Sequence, residues 1–146
     1  MDILSKLPER LCELMAEKEF KPIDLANQMG ISRNTVTRYL QGTRLPSFDN
    51  FLKILEIFTC SADFLIGLTD NPLTDVSYAP TKPFSQRFQQ LLIERKMSQY
   101  ALRKITGFSY DNFNQWLKGN THPYIDNLIK LSHAFDCSVD ELLGRI

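Results

Sequence analysis

The chain has 146 residues, 43% of them hydrophobic and 23% charged, with 17 Lys and Arg against 17 Asp and Glu. Those proportions exclude a disordered chain and suit a soluble globular protein of one ordinary domain or two small ones. No apolar run approaches the ~20 residues needed to span a bilayer, and the opening MDILSKLPER lacks the build of a signal peptide, so a cytoplasmic location is expected.

Overall neutrality leaves no global basic footprint, so any case for nucleic acid must rest on local charge. Cys12, Cys60 and Cys137 are an odd number without a CxxC pair, which argues against a disulfide framework and against a zinc site. They are expected to be free thiols packed as small apolar groups.

In chain order, the first predicted helix carries Leu7, Leu11, Leu14 and Met15 at helical spacing. A second helix starts at Pro22, a residue suited to the first helical position, and ends at Gly30. Ser32 caps a third helix that Gly42 closes, and Ser47 caps a fourth. A fifth, short helix follows around SADFLIG. Residues 71–83, NPLTDVSYAPTKP, are rich in Pro and polar residues, have no helical period and read as a linker.

The pattern then returns. Shifted by 77 positions, residues 10–67 lie over 87–144 without a gap. Matches include Leu14 with Leu91, Leu25 with Leu102, Gly30 with Gly107, Ser32 with Ser109 and Gly42 with Gly119. They continue with Pro46 and Pro123, Lys53 and Lys130, Phe58 and Phe135, and Cys60 and Cys137. In the second copy Phe84, Phe88, Leu91 and Leu92 line the first helix, Ser98 caps the second, and SVDE (138–141) has the form of a capping box opening the fifth. No strand alternation is visible. Two all-α domains are expected, at 1–70 and 84–146.

A helix, a glycine-built turn and a second helix form the sequence plan of a helix-turn-helix. Set within five helices, the two stretches IDLANQMGISRNTVTRYLQGTRLPSFDNFLKILEIF…SADFLIG and QYALRKITGFSYDNFNQWLKGNTHPYIDNLIKLSHAF…SVDELLG resemble the lambda-repressor-like, or XRE-type, DNA-binding family. The resemblance covers nearly the whole chain except the linker. It implies two tandem five-helix domains, a third helix that reads a groove, and a transcriptional regulator, more often a repressor than an activator, of a bacterium or phage. Many family members carry a buried ion pair between the first and third helices. Here those positions hold Met15 with Leu40 and Leu92 with Leu117. An apolar pair can replace a buried ion pair without loss, whereas removing one partner alone would be costly.

Residues 30–46, GISRNTVTRYLQGTRLP, hold three arginines and no acid. On charge alone such arginines equally suit a solvated face; the helix-turn-helix context favours DNA. Ile31, Val36, Tyr39 and Leu40 supply the apolar face of the third helix, leaving Ser32, Arg33, Asn34, Thr35, Thr37, Arg38 and Gln41 toward DNA. Arginine can grip guanine O6 and N7, Asn and Gln can grip adenine, and a threonine methyl can meet the thymine methyl. The early positions assign Arg33, Asn34 and Thr37 to bases, and Arg38 and Arg44 to phosphates.

The second copy, GFSYDNFNQWLKGNTHP, has none of these arginines. Its third helix offers Tyr110, Asn112, Asn114, Gln115 and Lys118, together with Asp111, which repels phosphate. Gln99 opens its second helix, where the resemblance implies a phosphate contact. Arg95, Lys96, Arg103 and Lys104 lie in an acid-free run from 95 to 110. This copy is either a second DNA reader or a domain kept for packing, dimerisation or partner binding. Tyr39, Trp116, Phe108, Phe113 and Phe135 are expected in the core, and Tyr78, Tyr110 and Tyr124 at the surface.

Thirteen linker residues reach at most about 43–47 Å, enough for both domains to meet half-sites ~34 Å apart. The other arrangement is a homodimer through the apolar ends of the fifth helices: Phe64, Leu65 and Leu68, and Leu142, Leu143 and Ile146. No cofactor, metal or catalytic residue is expected. His133 and Cys137 are separated by the end of a helix, and neither a phosphate loop nor HExxH occurs. The rival to a DNA-binding regulator is a protein-interaction module, or an antitoxin-like regulatory subunit, that keeps the fold without strong DNA binding.

Overall fold

A computed structural model of the chain describes residues 6–146. Among the described residues there are ten helices and no strand. They fall into two compact units that part between Val76 and Ser77. The first unit contains α1 (Lys6–Glu17), α2 (Pro22–Met29), α3 (Arg33–Gln41), α4 (Phe48–Phe58) and α5 (Ala62–Ile66). The second contains α6 (Phe84–Glu94), α7 (Gln99–Thr106), α8 (Tyr110–Lys118), α9 (Ile125–Ala134) and α10 (Val139–Leu142).

The caps fall at the expected residues. Ser32, Ser47 and Ser61 each accept a backbone N–H three residues on, as do Ser98, Ser109 and Ser138 in the second unit. Each such bond satisfies one of the four orphan donors of a helix start. Gly30 and Gly107 end α2 and α7 at φ 70° and 77°, a left-handed conformation that costs a residue with a Cβ. The SVDE box forms by half: Glu141 N–H donates to Ser138 Oγ, while the Glu141 carboxylate lies 3.7 Å from Arg95.

Each unit closes around its first helix. Leu7, Leu11, Leu14 and Met15 of α1 are buried with Leu25, Val36, Tyr39, Phe51, Ile54 and Leu55. The Tyr39 hydroxyl accepts from Asn50 Nδ2 at 3.0 Å, so the phenol enters the core with its oxygen satisfied. Where the first core has Leu7, Leu11 and Val36, the second has Phe84, Phe88 and Phe113. Phe88 takes the place of Leu11, with ring centroids of Phe84, Phe113, Trp116 and Phe135 at 5.5, 5.2, 6.3 and 6.1 Å. Phe108, expected in the core, is half-buried at its rim, 5.0 Å from Trp116 and beneath the Lys130 ammonium.

The same arginine position fastens the last helix in both units. Arg10 donates to Thr69 O and pairs with Asp70 at 2.7 Å, with its guanidinium 4.3 Å from the Phe64 ring centroid. Its counterpart Arg87 donates through Nε and Nη2 to Glu141 O. The Arg10 hydrogen bond, aided by the charges of Arg10 and Lys6, holds the Asp70 carboxyl below its ordinary range.

This fastening overturns the homodimer face read from the sequence. Phe64, Leu65, Leu142 and Leu143 are buried in their own units, and Leu68 is half-buried. Ile146 alone of the six is exposed. A last helix of four or five residues is enclosed on nearly every side, so its apolar residues pack inward instead of forming a free stripe.

The segment expected as a linker is anchored at both ends. Ser61 N–H donates to Pro72 O, and Ala79 N–H to Arg145 O, each at 2.8 Å. Tyr78, expected at the surface, is half-buried with the Arg145 guanidinium 4.1 Å from its ring centroid. Arg145 in turn pairs with buried Asp140.

The cysteines are free thiols, but they are not uniformly packed. Cys60 is buried, Cys137 half-buried and Cys12 exposed on α1, contrary to the expectation of three core thiols. Burial pushes the Cys137 thiol up, with the Glu141 carboxylate adding to the shift, so it is a poorer nucleophile at neutral pH. A maleimide should therefore label Cys12 first, and Cys60 only on unfolding, as intact mass against time would read. Simultaneous labelling of all three would contradict this packing.

Candidate nucleic-acid interface

α2 and α3 pack on one another through Leu25, Ala26 and Met29 of α2 and Val36 and Tyr39 of α3. Ile31 and Leu40 are half-buried at the margins of that contact. What α3 turns outward is polar. Arg33, Asn34, Arg38 and Gln41 are exposed, as is Arg44 in the loop after α3. Among the described residues no carboxylate pairs with any of the three arginines. The start of α3 adds the partial positive charge of a helix N-terminus to this face.

Three of the polar residues proposed from sequence are engaged locally. Ser32 Oγ accepts Thr35 N–H at 3.1 Å and lies 2.8 Å from Thr35 Oγ1. Thr37 Oγ1 donates to Arg33 O at 3.1 Å, so its hydroxyl is taken up within the helix. Ser32 and Thr35 thus build the helix start, while Arg33, Asn34, Arg38, Gln41 and Arg44 form the open face.

The second unit is built differently. Tyr110, Asp111, Asn112 and Lys118 are exposed on α8, and Gln99 is exposed at the start of α7. Asn114 and Gln115 are half-buried, and Gln115 Oε1 accepts from Asn120 Nδ2 at 2.9 Å. Of the basic run, Arg95 is held near Glu141 at 3.7 Å. Arg103 has no ion pair among the described residues: its Nε donates to Phe108 O at 3.4 Å and its guanidinium lies 5.5 Å from the Tyr110 ring centroid. Sequence reading names Arg103 only as part of a charge run. The repeat register holds the sharper signal, because Arg103 stands where the first unit has buried Ala26.

A glycine-turned helix pair that presents an acid-free, arginine-bearing second helix defines a helix-turn-helix DNA-binding protein. Comparison with known proteins agrees. The chain belongs to the Cro/C1-type HTH DNA-binding domain family, whose model matches it twice, at residues 10–70 and 87–146. It is similar to Repressor protein C2 of Salmonella phage P22, 36% identical over 63 residues, which is 43% of this chain and 29% of that protein. It is also similar to the uncharacterized HTH-type transcriptional regulator YobD of Bacillus subtilis (strain 168), 25% identical over 79 residues, 54% of this chain and 70% of that protein. The chain therefore spans less than a third of the phage repressor it matches. No solved structure matches it with comparable significance. Among the described residues no helix is long and apolar enough to cross a membrane.

Proposed function

We propose that this DNA-binding regulator recognises a specific double-stranded site with α3 of its first unit in the major groove and acts as a transcriptional repressor in the cytoplasm of a bacterium or phage-infected cell. The observation that carries the reading is the open face of α3: Arg33, Asn34, Arg38 and Gln41, exposed and without a carboxylate partner among the described residues. Arg33, at the first position of the helix, reads a guanine edge, and Asn34 and the Thr37 methyl extend the reading. Arg38 and Arg44 hold phosphates and fix the register. The similarity to a phage protein named as a repressor supports repression over activation.

Selection from a random duplex pool with the intact chain tests this reading. Enrichment of one motif at low salt is expected, with binding that weakens as salt rises and the release of counterions drives it less. A pool that yields no bound duplex at low salt would overturn it in favour of the interaction-module reading.

A further inference from the structure

The two units share one plan, yet they differ in where they carry unpaired positive charge. In the first, Arg33 and Arg38 stand on the reading helix without an ion pair among the described residues. In the second, the reading helix α8 offers one lysine at its far end and an exposed carboxylate, Asp111, in its first turn. Of its adenine-reading candidates, Gln115 is half-buried and bonded to Asn120, while Asn112 stays exposed beside Asp111. The charge has moved back one helix, to Arg103 and Lys104 in the last turn of α7.

Arg103 does not lie on the surface as an ordinary solvated arginine. Its position corresponds to Ala26, a buried residue of α2 in the first unit. From there its side chain runs out along the turn, donates to Phe108 O, and places its guanidinium against the ring of Tyr110. Tyr110 is the first residue of α8, the counterpart of Arg33. Tyr100, Arg103, Lys104, Gly107 and Phe108 line an open depression of about 260 Å³. Tyr100 and Tyr110 are 70% and 60% exposed. No acid occurs from 95 to 110. Two exposed phenols, a guanidinium 5.5 Å from one ring centroid and the exposed Lys104 ammonium suit a phosphodiester, with Asp111, just past the acid-free run, the one carboxylate adjoining them in sequence. Arginine and lysine supply charge, the tyrosine hydroxyls supply donors, and none of these groups identifies a base.

We propose that the second unit is a sequence-tolerant phosphate clamp on duplex DNA, formed by Arg103 and Lys104 of α7 with Tyr100 and Tyr110, and that the first unit does the base reading. The inference rests on the proposed function and assigns the second unit its part in it. Tyr110, held by Arg103, replaces a base-reading arginine with a phosphate donor at the same point of the helix-turn-helix.

The test uses the intact chain and the duplex it selects. Affinities of wild type, Arg103→Ala and the double variant Arg103→Ala/Lys104→Ala are measured between 50 and 200 mM salt, and each protein also undergoes selection from the random pool. Alanine at 103 is the residue the first unit folds with at this place, so these variants keep the fold, and Trp116 fluorescence checks that they do. Expected is a fall in the salt slope of about 0.9 for each phosphate released from the clamp, with the selected motif unchanged. An unchanged slope beside wild-type binding overturns the clamp while leaving the proposed function standing. A motif that loses defined bases in the variants also overturns it, since the second unit would then be a reader. A wild-type chain that binds no duplex overturns the proposed function and the clamp together.

Discussion

Arg33→Ala should relax the sequence preference of the protein, whereas Arg38→Ala should leave the preference intact and flatten the dependence of affinity on salt. The two arginines lie on the same short helix and are both exposed, so charge alone does not separate them. Position does. Arg33 follows the Ser32 cap directly, at the end of the helix that enters the groove in this motif. A bidentate grip on guanine supplies about 1–3 kcal/mol of discrimination against a wrong base, so its loss should narrow the gap between the best site and its single mismatches by roughly 5- to 150-fold. Arg38 lies in the last turn, where the proposed docking brings the DNA backbone, and not a base edge, within reach. Releasing one phosphate lowers the slope of log affinity against log salt by about 0.9 and weakens all sequences alike. Titrations of a selected duplex and its single-base variants at two salt concentrations read both effects. Two variants that merely flatten the slope would show that α3 grips DNA without reading it, and two silent variants would return both arginines to a solvated face.

Much of this architecture was legible in the sequence because it is local. A serine before a helix and a glycine after it act through bonds three to five residues long, and the 77-residue register states each of them twice. Thus Ser32, Ser109, Gly30 and Gly107 take the expected places. The misreadings concern how distant segments meet. The last helices look amphipathic, but Arg10 and Arg87 reach across from the first helix of each unit and fasten them inward, burying the face expected for dimerisation. Cys12 stands on the outer side of α1, where no apolar stripe marks it. Glu141 caps by pattern, yet Arg95, distant in sequence, draws its carboxylate aside. In the candidate site, α3 was legible because its outward residues act alone. Arg103 was not, because its meaning depends on Tyr110 and Phe108, which the turn brings to it.

Phe88→Ala should unfold the second unit at neutral pH and leave the first unit folded. Phe88 has no exposed surface and touches rings from α6, α8 and the end of α9, so its removal takes the centre out of an aromatic cluster. Phe→Ala at such a site costs about 3–5 kcal/mol from the missing transfer energy and the cavity left behind. Domains of this size are marginal, with total stabilities of order 5 kcal/mol at the low end of the usual range, so the loss is comparable to the whole. The chain has one tryptophan, Trp116, which packs in the same cluster. Its fluorescence therefore reports on the second unit alone. In a urea titration the Trp116 transition should collapse toward zero denaturant, while far-UV circular dichroism keeps a second, unshifted transition from the first unit. Leu11→Ala, the matching cut in the first unit, should do the reverse and leave the Trp116 midpoint in place. Were each variant to shift both transitions equally, the two cores would be energetically one.

The arginine at 10 and 87 records a history. A register of 77 without insertion is what tandem duplication of one ancestral segment leaves, and this position has kept its residue in both copies while its attachments changed. In one copy it lies over the Phe64 ring, holds Thr69 O and reaches Asp70; in the other the Phe64 position is Glu141, and the arginine holds that residue's backbone oxygen. A main-chain carbonyl is indifferent to the side chain that carries it, so the Arg87 anchor accommodates a carboxylate at 141, which lies 3.7 Å from Arg95. The two repeats thus share an anchor that grips main-chain oxygen in both and differ in the side chains set around it.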